Sequence, residues 1–134
     1  MQKQIKAMVE KYREKMIWTP DKVLFGKYEH WVDLWENFEK DDVVKCDCED
    51  FALSCCRAAF EQDLLSPDKF GLMLVSIKQT SKFDHCVAWF KPKQIVWIAD
   101  NTSRRPYYKF SDMVHTAIQH NTYETPQDWF ETVV

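Results

Sequence analysis

The sequence predicts an α+β fold in which one central helix packs on a small antiparallel sheet. An amphipathic helical pattern occupies residues 2–17, and a second helical pattern at 47–63 is apolar around much of its circumference. Three short runs rich in Val, Ile, Trp and Phe follow at 70–78, 84–91 and 94–101. Because a helix with this much apolar surface belongs in the interior, we expect the helix at 47–63 to lie against these strands.

Length and composition favour a single domain over residues 1–134. The chain has 134 residues, of which 46% are hydrophobic and 15% aromatic, which is typical of a globular protein. Two glycines are too few for a glycine-rich phosphate loop. A net charge of −3 gives the chain no general attraction to nucleic acid or to an acidic membrane, so we expect no nucleic-acid partner.

The N-terminus and the cysteines predict the compartment. Nothing at the N-terminus resembles a signal peptide, and no apolar run approaches the roughly 18 residues of a membrane span. We therefore expect a cytoplasmic protein that does not insert into membranes. The five cysteines are an odd number, which favours reduced thiols over a disulfide framework. The basic and aromatic run at 104–109 predicts a solvated loop, with the lining of a substrate groove as the alternative.

The predicted helices have recognisable ends. The first stops before Thr19-Pro20, since proline cannot continue a helix. Another helical pattern covers about 29–39, with tryptophans and a phenylalanine on one face. In the central helix, Asp47 is placed to act as the N-cap, and Asp50 resembles the acidic member of a capping box.

The last two strand-like runs predict a hairpin centred on Pro92-Lys93. That register sets His85 directly opposite Asp100, with Cβ atoms about 4.5–5.5 Å apart. Because Pro-Lys is a poor two-residue turn, we expect a four-residue loop with the same centre. Beyond the hairpin, the segments 110–120 and 127–132 are predicted to be helical.

Cys48 is a candidate nucleophile at the first turn of the central helix. Unpaired backbone N–H groups and the helix dipole favour a thiolate at that position. A nearby imidazole would accept the thiol proton, and a carboxylate on the other ring nitrogen would orient the ring, roles for which His85 and Asp100 are placed. The oxyanion hole would use the Cys48 N–H with a second donor from Trp35 or Asn37.

Three carboxylates beside the cysteine oppose its ionisation. Asp47, Glu49 and Asp50 flank Cys48, and their negative charge raises the pKa of a thiol. A hard cation with oxygen ligands, calcium above all, would neutralise them. The alternative is that Asp47 and Asp50 only cap the helix while Glu49 is solvated.

The stretch Asp47-Cys48-Glu49-Asp50-Phe51-Ala52 resembles the motif Gly-Asp-Cys-Glu-Asp-Tyr of the bacterial transglutaminase-like cysteine peptidases. The resemblance extends to a strand led by His85 and to Asp100-Asn101, and it covers about half of the chain, from Trp35 to Asn101. Cys46 stands where the family motif has glycine.

The resemblance implies a papain/transglutaminase-like fold, with the nucleophile helix packed on the sheet and a triad of Cys48, His85 and Asp100. It also implies a calcium ion held by Asp47 and Glu49, with Asp50 as a further ligand. The implied activity is hydrolysis of a peptide bond in a protein or peptide substrate.

Three alternatives to the peptidase stay open. The first is acyl transfer of the transglutaminase or deamidase type, and the second is a catalytically idle module that binds a protein partner in the same groove. The third is a structural zinc or redox protein, with a zinc site made by Cys46, Cys48, His85 and Cys86, although these residues lack the two-residue spacing of usual zinc knuckles. The other histidines, among them His115, have no comparable neighbours in the sequence.

Overall fold

The computed structural model describes residues 2–19 and 33–124, which form three helices and seven strands. The helices are α1 (Gln2–Lys15), α2 (Trp35–Lys40) and α3 (Cys48–Glu61). The strands are β1 (Met16–Trp18), β2 (Val44–Cys46), β3 (Phe70–Ser76), β4 (His85–Phe90), β5 (Trp97–Ala99), β6 (Tyr107–Lys109) and β7 (Thr116–His120). Two short 3₁₀ segments lie at Pro67–Lys69 and Phe110–Asp112.

Five of these strands form one antiparallel sheet in the order β6-β5-β4-β3-β7, while β1 and β2 form a separate parallel pair. The predicted antiparallel sheet is confirmed, and the mixed helix and sheet content is compatible with the predicted α+β class. Among the described residues, no helix combines the length and the apolar character that crossing a bilayer requires.

Alternation along the strands gives the sheet two buried faces. One face contributes to the main core with α1 and α3, through side chains such as Leu74, Cys86 and Ala88. The opposite face carries a smaller cluster that includes Val75 and Val87. Successive residues of a strand point to opposite faces, so these two sets separate cleanly.

The central helix, α3, lies close to its predicted bounds. Asp47 is the N-cap of α3, and its Oδ1 accepts the Asp50 N–H at 3.2 Å, as predicted. The helix ends at Glu61, two residues before the predicted end, and Asp63 follows with a positive φ of 51°. One face of α3 is fully buried against β4, which positions Cys48 at the start of that strand.

Several predicted boundaries are wrong. Helix α1 ends at Lys15, because residues 16–18 leave the helix to pair with β2. The segment 110–120 is not one helix, since only its first three residues form a 3₁₀ turn and its last five form β7 at the edge of the sheet beside β3. The predicted helix at 29–39 is described only in part, as α2, and the segment 127–132 lies outside the described residues.

The predicted register of the hairpin is also wrong. Trp89 pairs with Ile98, and Phe90 with Trp97, so six residues connect the strands and the turn is centred one residue later than expected. The shift moves each pairing by two residues. A shift of two leaves every side chain on its predicted face, because the side-chain period of a strand is also two.

Candidate active site

Cys48 is the first residue of α3 and the most accessible cysteine of the chain. Strand β2 leads directly into the Asp47 cap, and this turn fixes the start of the helix. Cys48 is partly exposed, whereas the other four cysteines are buried. A reagent that does not unfold the protein should therefore react first with Cys48.

The thiol of Cys48 lies between a carboxylate and a backbone amide. Its Sγ donates to Glu49 Oε2 at 3.3 Å, and the N–H of Cys86 provides a hydrogen bond to the sulfur. Burial is the main reason that the pKa of Cys48 is raised well above its usual value, and the negative charge of Glu49 raises it further. The thiol is therefore protonated in this arrangement.

His85 and Asp100 form a buried hydrogen-bonded pair. His85 Nε2 lies 2.8 Å from Asp100 Oδ1, and their side chains are 2% and 0% exposed. Since an ionised carboxylate only accepts hydrogen bonds, Nε2 carries the proton, and Nδ1 is left as the basic nitrogen. This is the tautomer that a general base on a thiol requires.

Among the described residues, four have side chains within hydrogen-bond distance of the Asp100 carboxylate. Besides His85, Thr102 donates both its N–H (3.0 Å) and its hydroxyl (2.7 Å) to Oδ1, while Tyr108 donates its hydroxyl to Oδ2 at 2.7 Å. His115 Nε2 lies 3.0 Å from the same Oδ2. Burial acts to raise the pKa of Asp100, but the hydrogen bond and electrostatic attraction of His85, with the hydrogen bonds of Tyr108 and Thr102, outweigh it and hold that pKa far below its ordinary value. Asp100 is therefore ionised at neutral pH.

The contact between His85 and Asp100 is diagonal. The observed register, extended by one residue beyond β5, sets Asp100 opposite Val87 rather than opposite His85. Diagonal neighbours on one face of a sheet remain within reach of long side chains. The prediction that these two side chains meet is confirmed, although the pairing that produces the contact differs from the expected one.

The structure does not bring Cys48 into hydrogen-bond contact with His85. Cys48 packs against the main core beside Cys86, while alternation along β4 places His85 on the face of Val87. The sulfur nevertheless lies next to the peptide that joins His85 to Cys86, because it is hydrogen-bonded to the N–H of that peptide. The thiol and the imidazole thus lie on either side of the first residues of one strand.

Two donor groups of the candidate oxyanion residues have other partners here, while the indole Nε1 of Trp35 is buried and makes no hydrogen bond of ordinary geometry to the described part of the chain. The backbone N–H of Trp35 donates to Asp33 Oδ1 at 2.8 Å, and the side-chain amide of the exposed Asn37 donates to Asp41 Oδ2 at 3.2 Å. Their role in an oxyanion hole stays a prediction.

The acidic residues around Cys48 do not converge on one point. Asp47 caps α3 and Glu49 accepts from the thiol. Within the described ranges, the one group of three potential metal-ligating side chains is His85, Asp100 and His115, so Asp47, Glu49 and Asp50 do not form such a group as they stand. A calcium ion at these acids stays a prediction and would need their side chains to rearrange. The predicted alternative zinc set of Cys46, Cys48, His85 and Cys86 does not form a group either.

His115 is the site residue that sequence reasoning missed. It lies between β6 and β7, in a segment predicted to be helical, and it reaches Asp100 across the second face of the sheet. No local motif marks it. Only a correct prediction of strand β7, which pairs with β3, would have placed residue 115 next to the sheet.

The chain has no significant match among protein-family models or curated protein sequences.

Proposed function

We propose that this protein is a cysteine peptidase with a papain/transglutaminase-like fold, which hydrolyses a peptide bond through a thioester on Cys48. The observation that carries the proposal is the buried 2.8 Å hydrogen bond between His85 and Asp100. That bond leaves Nδ1 of His85 basic, at the start of a strand whose next N–H contacts the sulfur of Cys48. The motif around Cys48 supports the same assignment.

The reaction needs two proton transfers through His85. Nδ1 accepts the proton of the Cys48 thiol, and the sulfur attacks the carbonyl carbon of the substrate. The protonated imidazole then gives that proton to the leaving amine, which leaves a thioester. A water molecule, deprotonated by the same Nδ1, hydrolyses the thioester and releases the free thiol. Asp100 orients the ring and stabilises its charge throughout.

Activation of the thiol requires a local rearrangement. In the structure the thiol proton is directed at Glu49, 3.3 Å away, rather than at His85. Rotation of the Cys48 side chain, together with movement of the His85 ring around the N-terminal end of β4, would bring sulfur and Nδ1 together. Substrate binding that displaces the Glu49 carboxylate would also remove the charge that disfavours the thiolate.

Transfer to an amine instead of water would use the same residues and make the protein a transglutaminase-type acyltransferase. A separate candidate is a catalytically idle module that binds a protein partner. The raised pKa of Cys48 favours this second candidate, because a protonated thiol with no hydrogen bond to His85 is a poor nucleophile.

The pH dependence of Cys48 alkylation by iodoacetamide tests the proposal. Since the other four cysteines are buried, the native rate reports on Cys48. Because the pKa of Cys48 is raised in the arrangement described, we expect its remaining reactivity near neutral pH to depend on proton transfer to His85, so that the His85→Ala variant is alkylated more slowly than the parent. His120→Ala, which changes an exposed histidine on β7, is the matched control and should react like the parent.

Equal alkylation rates in the parent and in His85→Ala at every pH would overturn the peptidase and favour the idle module. Chelator should be present in one series and calcium in another, so that a calcium requirement is recognised as a difference between the two series. If the thiol proves reactive, product analysis with peptides and added amines distinguishes hydrolysis from transfer.

A further inference from the structure

We propose that His85, Asp100 and His115 form a binding site for a zinc-type divalent cation. The candidate ligand atoms of these three residues all lie within 4.8 Å of one another. Two of the separations are already short, at 2.8 Å from His85 to Asp100 and 3.0 Å from His115 to Asp100. Zinc bonds to nitrogen and oxygen of about 2.0–2.2 Å require only small further movements of these side chains.

The chemistry of the ligands selects the kind of cation. Two imidazoles and one carboxylate suit Zn²⁺, Fe²⁺ or Co²⁺, whereas Ca²⁺ prefers ligands that are all oxygen. The proposed ion therefore differs from the calcium ion that the acids around Cys48 would hold. It also lies on the face of the sheet opposite to the one that packs against α3.

The surroundings provide support for the ligands and a route for the ion. Hydrogen bonds from Thr102 and Tyr108 hold the Asp100 carboxylate in place, as outer partners of metal ligands commonly do. His115 is 12% exposed at its side chain, and a pocket of about 560 Å³ reaches both His115 and Asp100. Arg104, Arg105 and Asp112 also line that pocket, and the two arginines favour an anion or hydroxide as the fourth ligand.

Metal binding changes the tautomer of His85. Coordination through Nε2 requires its proton to move to Nδ1 of the same ring, with no net change in the charge of the imidazole. Nδ1 then carries a proton and cannot accept one from Cys48. If the proposed function holds, on which this step rests, the ion inhibits the peptidase reversibly.

Titration with Co²⁺, followed by the visible absorption of the bound metal, tests the site. The parent protein should bind one equivalent, without the intense charge-transfer band of a thiolate ligand. His115→Ala and the milder His115→Gln should weaken binding by more than about 10-fold, since removing a ligand should cost at least as much as removing an outer partner. Circular dichroism would show that these variants remain folded.

Two variants serve as controls. Cys48→Ser should bind Co²⁺ like the parent, because the sulfur is not a ligand, and so should His120→Ala, because its exposed imidazole lies outside the group. Unchanged affinity in both His115 variants, or a charge-transfer band lost in Cys48→Ser, would overturn the proposed site. The cobalt titration does not depend on a reactive thiol, so it tests the metal site even if the alkylation experiment refutes the peptidase.

Discussion

At the scale of single residues, the state of Cys48 depends on the competition between Glu49 and His85 for the thiol proton. In this structure the thiol keeps its proton and donates it in a hydrogen bond to Glu49, while His85 donates to Asp100. The helix N-terminus favours the thiolate, but burial and the neighbouring carboxylate act in the opposite direction. The reactivity of the site is therefore sensitive to a single charge.

Substitution Glu49→Gln should lower the pKa of Cys48, because it removes the second largest cause of the raised value while burial remains. We expect a several-fold faster alkylation of Cys48 at pH 7, measured with chelator present so that no metal contributes. Glu36→Gln, on an exposed position of α2, is the matched control and should leave the rate unchanged. Equal rates in the parent and in Glu49→Gln would show that the carboxylate does not influence the thiol.

At the scale of elements, β3 depends on close contact with the chain that follows β7. Asn121 caps this edge, since its N–H donates to the Leu72 carbonyl at 3.0 Å and its Oδ1 accepts the Leu72 N–H at 2.8 Å. Gly71, the preceding residue, faces the backbone carbonyl of Asn121 so closely that a Cβ atom would overlap it. The sheet therefore requires glycine at this position.

Substitution Gly71→Ala should destabilise the protein by about 2 kcal/mol, because backbone rather than a flexible side chain has to move. Equilibrium unfolding in guanidinium chloride measures this change. Thr116→Ala, at an exposed end of β7, is the control for a change at the same edge and should cost less than about 0.5 kcal/mol. A Gly71→Ala variant as stable as the parent would mean that the approach of Asn121 to β3 is looser than described.

The same elements show what the sequence could and could not predict. The start of α3 was predictable because the Asp47 cap is a local interaction within three residues. Strand β7 was not, because its side chains are exposed and only pairing with β3 makes it a strand. The hairpin register was not predictable either, because six residues without a defining turn motif connect the two strands. The contact between His85 and Asp100 was still predicted correctly, because a register shift of two residues leaves both side chains on the same face of the sheet.

At the scale of the whole molecule, the central sheet separates two chemical environments. The sulfur of Cys48 packs against the main core with α1 and α3, while the opposite face holds the Asp100 carboxylate with its imidazole and hydroxyl partners. His115 joins that second group only through the chain reversal that forms β7, which is why no local sequence pattern predicts it. The first two residues of β4 face these two environments, since Cys86 lies on the side of Cys48 and His85 on the side of Asp100.

The ionised Asp100 should couple the stability of the whole fold to pH. Because its pKa in the folded state lies below the value of about 3.9 for an unfolded Asp, its contribution is fully present above that value and is lost as the pH falls through the folded pKa. Asp100→Asn should therefore be less stable than the parent by about 3 kcal/mol near neutral pH, since it removes one member of a buried pair. Guanidinium unfolding from pH 7 to pH 3, with chelator present, measures both proteins. The difference between them should shrink toward the acid end, whereas a difference that stays constant over this range would show that the charge of Asp100 does not stabilise the fold.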